Sequence, residues 1–447
     1  MDCPKLLFSN TDLKKLIVPL VIEQMLVILV GMTDTMMVSN AGEAAISGVS
    51  LVDMINNLVS TIMAALATGG AVIVSQYLGH KNQKQANLAA SQLYTVSLLF
   101  GVCIAILCMI CNKPLLRLLF GSIDEDVMQA ASTYFLITSL SFPFFGLYNA
   151  AGALMRSIQK TYLTMRVSLV MNLINVVGNA IGIFVLHAGV AGVAVPTLIS
   201  RIFAAICLTV LLTGKDGEVK VKRREVFSWH RDILHKILFI AVPNGLENGF
   251  FELGRVVVVS VIALFGTAQI AANGVANSLD AVGIIVSKAM NLAVVPVVGR
   301  CIGAGKYDQA RYYTRKLILM SYLSIVILGG ATIALLPVFK HLYGLSEEAW
   351  RLTFWLVVIH EGVAMLLHPL SFNMPNTLRA AGDVRYTLAV GAFSIIFCRL
   401  AGAYLLGVVF GWKIIGVWIA MCFDWLFRSI FFVARYKRGK WMRIHLV

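Results

Sequence analysis

The stretch VPLVIE (Val18–Glu23) returns as VPNGLE (Val242–Glu247), 224 positions later (242 less 18), with Val, Pro and Glu in matching places. The offset holds along the chain. AISG (45–48) meets QIAA (269–272), VSQYLGHKNQKQA (74–86) meets VGRCIGAGKYDQA (298–310), and GVAV (192–195) meets GVWI (416–419). MRSIQKTY (155–162) meets LRAAGDVRY (378–386) after one insertion. Twice 224 is 448, within one of the 447 residues, so the chain reads as two copies of one unit.

Composition says what the unit is. Of the residues, 59% are hydrophobic and 13% charged, where a soluble chain carries about 25% charge. Apolar runs long enough to cross a bilayer, about 20 residues, recur from end to end. Twelve spans are predicted, at about 13–38, 46–78, 87–112, 126–154, 161–186, 190–213, 237–265, 269–301, 309–339, 350–378, 385–409 and 413–435. The first run is too long for a cleavable signal and is interrupted by Glu23 and Asp34. The fold class expected is an all-α polytopic membrane protein of two six-helix repeats.

A net charge of +15 raises nucleic acid as a partner. Its placement excludes that reading. Lys81 and Lys84 fall between spans 2 and 3, and Arg156, Lys160 and Arg166 between 4 and 5. Seven Lys and Arg fill 214–236, and ARYKRGKWMR closes the chain. The odd-numbered connections carry only Lys113, Arg117, Lys340, Arg351 and Lys413. Positive charge accumulates on the cytoplasmic side of membrane proteins. Both termini are therefore expected in the cytoplasm, with the protein multi-pass in the plasma membrane.

The organisation expected is an N-terminal six-helix lobe (1–213), a basic cytoplasmic linker (214–236), and a C-terminal six-helix lobe with a basic tail (237–447). Six is even, so both copies enter the membrane from the same side, as parallel repeats. Two such bundles are transporter architecture. No Walker loop, dinucleotide fingerprint or HExxH stands in the sequence, which argues against an ATP-driven pump and against an enzyme. Cys108 and Cys111 form a lone CxxC without a second pair or a nearby His, and read as structural.

The repeat is informative where it fails. Asp34, in GMTDTMMVSN (31–40), pairs with Val258. Asn175 pairs with Arg399, Asn179 with Ala403 and Thr197 with Met421. A carboxylate within a bilayer helix costs roughly 3 kcal/mol on insertion scales, so Asp34 is expected to serve a function. Counted at 1.5 Å per residue, Asp34, Asn179 and Thr197 lie roughly 6–12 Å below the outer surface. Asn175 is one turn from Asn179 on the same helix face. One carboxylate, two amides and a hydroxyl suit a proton or a hard cation such as Na⁺. Pro19 removes one backbone hydrogen bond from span 1 and is the expected hinge. Asp53, Asn56 and Asn57 in span 2 are matched by Asn277 and Asp280 in span 8, and read as shared architecture. The aromatic stripe Phe142, Phe144, Phe145 and Tyr148 around Pro143 reads as packing, with aromatic faces for a cationic compound as the alternative.

These features together resemble the multidrug and toxic compound extrusion (MATE) family over nearly the full length. The resemblance rests on the first span with Pro19, on TDTMMVSNAGEAAISGVSL (33–51), on LGHKNQKQA with its partner IGAGKYDQA, and on LRAAGD (378–383). It implies two six-helix bundles forming a V-shaped cleft. It implies export of bulky, amphipathic, often cationic drugs or toxic compounds in exchange for H⁺ or Na⁺, with no other cofactor. Asp34, Asn175, Asn179 and Thr197 fall where the family keeps an N-lobe cation site. One branch has a second acid at the position of Asn179, so Asp34 is here the sole charge.

The C-lobe departs from the family pattern. Other branches place an acid in span 7 and an Asp in span 10. Here the span 7 candidate is Glu252, one residue out of register from Pro243. Ten residues before Leu378, in span 10, stands His368, with Glu361 two turns earlier. Glu252, Glu361 and His368 are thus the candidates for a substrate or second coupling site. Arg255, Arg399 and Arg428 are the expected neutralising partners. Glu247, the repeat mate of Glu23, reads as a structural bond across its lobe. Asp424 and Arg428 read as an i,i+4 pair. The partners expected are small organic molecules and membrane lipids, with the chain a monomer. The alternative is a flippase of lipid-linked precursors from the same superfamily. Those often have two further spans and a cleft rich in Arg and Lys.

Overall fold

The computed structural model describes residues 6–121, 124–214, 217–343 and 345–447; Lys215 and Asp216 of the basic linker fall outside them. Among the described residues there are helices and no strands. This follows from the solvent, since lipid offers no hydrogen bonds and a helix satisfies its own backbone. The first copy comprises α1 (Asn10–Ser39), α2 (Glu43–Gly79), α3 (Gln83–Ile110), the short α4 (Asn112–Phe120), α5 (Glu125–Leu140), α6 (Phe142–Ser157), α7 (Thr161–Ala180) and α8 (Ala191–Thr213). A short α9 (Arg223–Val226) precedes α10 (Arg231–Ala263). Then follow α11 (Thr267–Gly283), α12 (Ile285–Gly303), α13 (Tyr307–Ala334), α14 (Leu336–Tyr343), α15 (Glu347–His368), α16 (Met374–Ala380), α17 (Val384–Phe393), α18 (Gly402–Tyr404) and α19 (Lys413–Lys437).

Among the described residues ten helices are long and apolar enough to cross a membrane, or eleven if α5 and α6, bent by 49°, form one span. The remaining expected span is α10. At 33 residues it is long enough, but it carries Glu247, Glu252 and Arg255. The expected eighth span is two helices, α11 and α12, which part at Ile284 (φ −98°, ψ 4°).

The chain forms two compact units, Phe8–Gly245 and Leu246–Val447. Leu7 belongs with the second unit, donating its backbone N–H to Gln309 Oε1 at 2.9 Å. In the first unit α2 packs on α3, α5 and α6, while α7 packs on α1 and α8. In the second, α12 packs on α13 and α11 on α15.

The repeat offset is visible in the backbone. A π-helical turn at Ile181–Val185 follows α7, and another at Leu405–Val409 stands at the corresponding place. Each adjoins a close helix crossing. A Cβ on Gly182 would collide with the carbonyl oxygen of Gly192, so nothing larger fits. Gly416, the mate of Gly192, meets Leu406 in the same way, its Cβ position 2.7 Å from that backbone.

Acids near the start of each copy tie helices together. Glu23 accepts a hydrogen bond from the Thr164 hydroxyl, linking α1 to α7. Glu247 is paired with Arg379 at 2.7 Å and with Arg428 at 3.1 Å. The expected Asp424–Arg428 pair is therefore absent. Asp424 instead meets Arg399 at 3.3 Å and the Ser394 hydroxyl. Asp424 is already balanced by Arg399, and Arg428 joins Arg379 on Glu247, so each buried acid has a cation.

Candidate functional site

The four residues singled out in the first copy form one hydrogen-bonded chain across α1, α7 and α8. The side-chain amide of Asn179 donates to Asp34 Oδ1 at 2.8 Å and to Asn175 Oδ1 at 3.3 Å. The amide of Asn175 donates to Thr197 Oγ1 at 3.0 Å, and the Thr197 hydroxyl donates to the Val193 carbonyl at 2.9 Å. Asn175 and Asn179 sit one turn apart on the buried face of α7, as their spacing requires. The carbonyl oxygen of Asn179 is buried and has no hydrogen-bond partner. Pro19 lies inside α1, which continues through it as one helix.

Asp34, Asn175 and Thr197 line a cavity of about 410 Å³ within the first unit. Asp53 and Arg201 share it. Asp53 accepts from the Tyr134 hydroxyl at 3.3 Å and from the Asn56 amide at 3.4 Å. Arg201 donates to Ser141 Oγ at 2.6 Å, and its guanidinium carbon lies 4.4 Å from the Phe145 ring centre. That aromatic face is thus occupied by the protein's own cation. Phe145 stacks in turn on Tyr148, with 6.3 Å between centroids.

The second unit holds a cavity of about 440 Å³. Glu252 and His368 both line it; Glu361 does not. Arg255 Nη1 lies 3.4 Å from Glu252, the neutralising partner expected. His368 Nδ1 meets the Ser287 hydroxyl at 3.2 Å, and its ring stacks on Phe372 at 4.5 Å. The cavity wall also carries Lys288, Arg399 and the rings of Phe251, Trp418 and Trp425. Glu361 lies apart, against Gly283 and Gly329 of α11 and α13. The three C-lobe candidates therefore do not form one cluster.

The two cavities are repeat images. Gly31, Asp34, Thr35, Asp53, Asn56, Asn175 and Thr197 line the first; their counterparts Arg255, Val258, Val259, Asn277, Asp280, Arg399 and Met421 line the second.

Residues 19–181 and 243–405 each match the model of the MatE family, and the two matches start 224 positions apart (243 less 19). The chain belongs to the MatE family. MatE is a family of membrane transporters, and this chain is a multi-pass member of it. It is 28% identical to an uncharacterized transporter of Bacillus subtilis, YisQ, over 98% of both chains. It is 23% identical to a probable multidrug resistance protein of Thermotoga maritima, NorM, over 96% of this chain and 92% of that one. The crystal structure of a MATE transporter in the bent conformation superposes with a TM-score of 0.88, covering 97% of this chain and 96% of that one at 20% identity. That likeness shows the fold.

Four residues of this MatE chain that reach the cavities or their walls were not read as site residues from the sequence. Asp53 and Asp280 stand where both copies keep polar groups and read as shared architecture. Arg201 and His360 differ from their counterparts as Asp34 does, so the repeat offset marks them too. A carboxylate on the buried face of a span, such as Asp53 or Asp280, is the signal that finds half of this set.

Proposed function

We propose that this MatE chain is a secondary antiporter. It exports amphipathic, often cationic small molecules in exchange for H⁺ or Na⁺, and the ion is held at Asp34. The observation that carries this reading is the Asp34–Asn179 contact. The amide N–H group is spent on the carboxylate, and the carbonyl oxygen of the same side chain is left buried and unpartnered. A carboxylate and a free amide oxygen side by side offer ligands to a small hard cation, and the carboxylate alone accepts a proton.

The coupling follows from the cost of buried charge. A bare carboxylate on Asp34 is expensive in an apolar wall, and a bound cation removes that cost. Conformations that differ in how they surround Asp34 therefore differ in ion affinity, and the ion shifts their balance. Pro19 gives α1 the weak point at which it can bend. Asn175, Asn179 and Thr197 set the ion affinity. Glu252 and His368 contact the transported compound or a second ion in the other copy. Both termini and the basic linker face the cytoplasm, and the working unit is the monomer.

Dye efflux from cells lacking other pumps tests the activity. Export above the empty-vector rate is expected, and its dependence on Na⁺ at fixed external pH separates the two ions. Export no faster than the vector control contradicts the reading. Orientation is tested by single-cysteine labelling of intact cells. Cysteines placed in 217–236 should be shielded from an impermeant reagent and cysteines at Asn40 or Glu347 should react; the reverse pattern overturns the topology.

A further inference from the structure

Glu361 on α15 is 0% exposed, and neither of its carboxylate oxygens has a hydrogen-bond partner. It sits in a notch made by two glycines. A Cβ on Gly283 would collide with Oε1, and one on Gly329 would collide with Oε2. Beside it is a second buried acid, Asp280, 4% exposed, whose Oδ1 lies 3.2 Å from His360 Nδ1. One ligand atom from each of Asp280, His360 and Glu361 lies within 4.8 Å of the other two. The His360 ring is held between indoles, 5.5 Å from Trp418 and 4.9 Å from Trp425 between centroids.

Other buried acids among the described residues have partners: Glu23 accepts from the Thr164 hydroxyl. Glu247 has two arginines, Asp424 has Arg399, and Asp383 has Arg435 at 2.7 Å. In the first copy the counterpart of Asp280 is Asn56, whose amide donates, with the Tyr134 hydroxyl, to the single carboxylate Asp53. Among the described residues no Lys or Arg pairs with Asp280 or Glu361; the one basic group within reach is the His360 imidazole. Two buried carboxylates and an imidazole, with no Lys or Arg paired to either acid, form a set of three ligands suited to a cation.

We propose that Asp280, His360 and Glu361 bind one divalent transition cation of the Zn²⁺, Co²⁺ or Mn²⁺ class. One imidazole nitrogen and two carboxylate oxygens suit these ions, and bonds of about 2.0–2.2 Å require the three side chains to draw together. Asp280 and His360 also line the cavity of about 440 Å³, which supplies an entry path and water for the open coordination positions. The bound ion ties α11 to α15. The site is independent of ion coupling at Asp34, and its failure leaves that reading untouched.

The test uses full-length, tag-free protein in detergent, stripped with a chelator and dialysed. Titration with Co²⁺, followed by visible absorption and calorimetry, should saturate at one equivalent with the weak d–d spectrum of oxygen and nitrogen ligands. Glu361→Gln and Asp280→Asn should each weaken binding at least about 10-fold, as loss of one ligand does. Three results overturn the proposal: no saturable binding to the wild type, an intense thiolate charge-transfer band that assigns the ion to cysteines, or affinity unchanged in both variants. The first two are read on the wild type alone, so the proposal stays open to refutation even if a variant fails to fold.

Discussion

The cavity of the first copy holds two carboxylates, Asp34 and Asp53, against one guanidinium, Arg201. The cavity of the second holds three cations, Arg255, Lys288 and Arg399, against Glu252 and Asp280. The same repeat positions line both, yet their charge balance is opposite. Asp34 becomes Val258, Asn175 becomes Arg399 and Thr197 becomes Met421. Features common to the copies, such as the Gly182–Gly192 crossing and its mate at Gly416, hold helices together. Features that differ set the chemistry. The comparison teaches that one scaffold supports two unlike sites, an oxygen-rich one in the first copy and a cationic, aromatic one in the second.

The largest difference between the copies is expected at the paired acids Glu23 and Glu247. Glu247→Gln strips the charge partner from two buried arginines and should cost about 3 kcal/mol or more. Glu23→Gln keeps an acceptor for the Thr164 hydroxyl and loses only the charge that interacts with Arg156, and should cost about 1 kcal/mol. Thermal unfolding of the two purified variants checks the order. Equal losses would mean that the copies share a tie rather than differing in it.

A smaller effect is expected at Asn179→Ala. It should keep the fold and shift apparent ion affinity about 10-fold, the worth of one charge-assisted hydrogen bond near 1.4 kcal/mol: upward for H⁺, because the amide N–H stabilises the bare Asp34 carboxylate, and downward for Na⁺, because the amide oxygen is lost as a ligand. Efflux measured against ion concentration reads this; an unshifted curve removes Asn179 from the ion site. Smaller still is the effect of Glu252→Gln, a few-fold loss of efflux at unchanged levels of folded protein. Efflux at the wild-type rate would leave Glu252 only as the partner of Arg255.

Much of this was legible in the sequence, for identifiable reasons. The repeat was readable because a constant offset survives substitution wherever Pro, Gly and Glu are structurally required. The Asp34, Asn175, Asn179 and Thr197 group was readable because a carboxylate in a span demands partners, and helical spacing put the asparagines on one face. The partner of Arg428 was not readable. Local spacing favours Asp424, while the winning contact comes from Glu247, which is 181 positions away in sequence. The break at Ile284 was hidden because an apolar residue there reads as a continuous span. The Asp280–His360–Glu361 group was hidden because its members lie on two helices and only their tertiary approach makes them a cluster.

In the proposed antiport the driving ion and the export cycle meet at Asp34. The direct measurement is drug-induced ion flux in proteoliposomes holding the Asp34→Asn protein, which mimics the neutral carboxyl at nearly the same volume. The account predicts a folded, inserted protein with no drug-driven H⁺ or Na⁺ movement. Exchange of drug for either ion at the wild-type rate would contradict it and would leave Asp34 as a tether between α1 and α7.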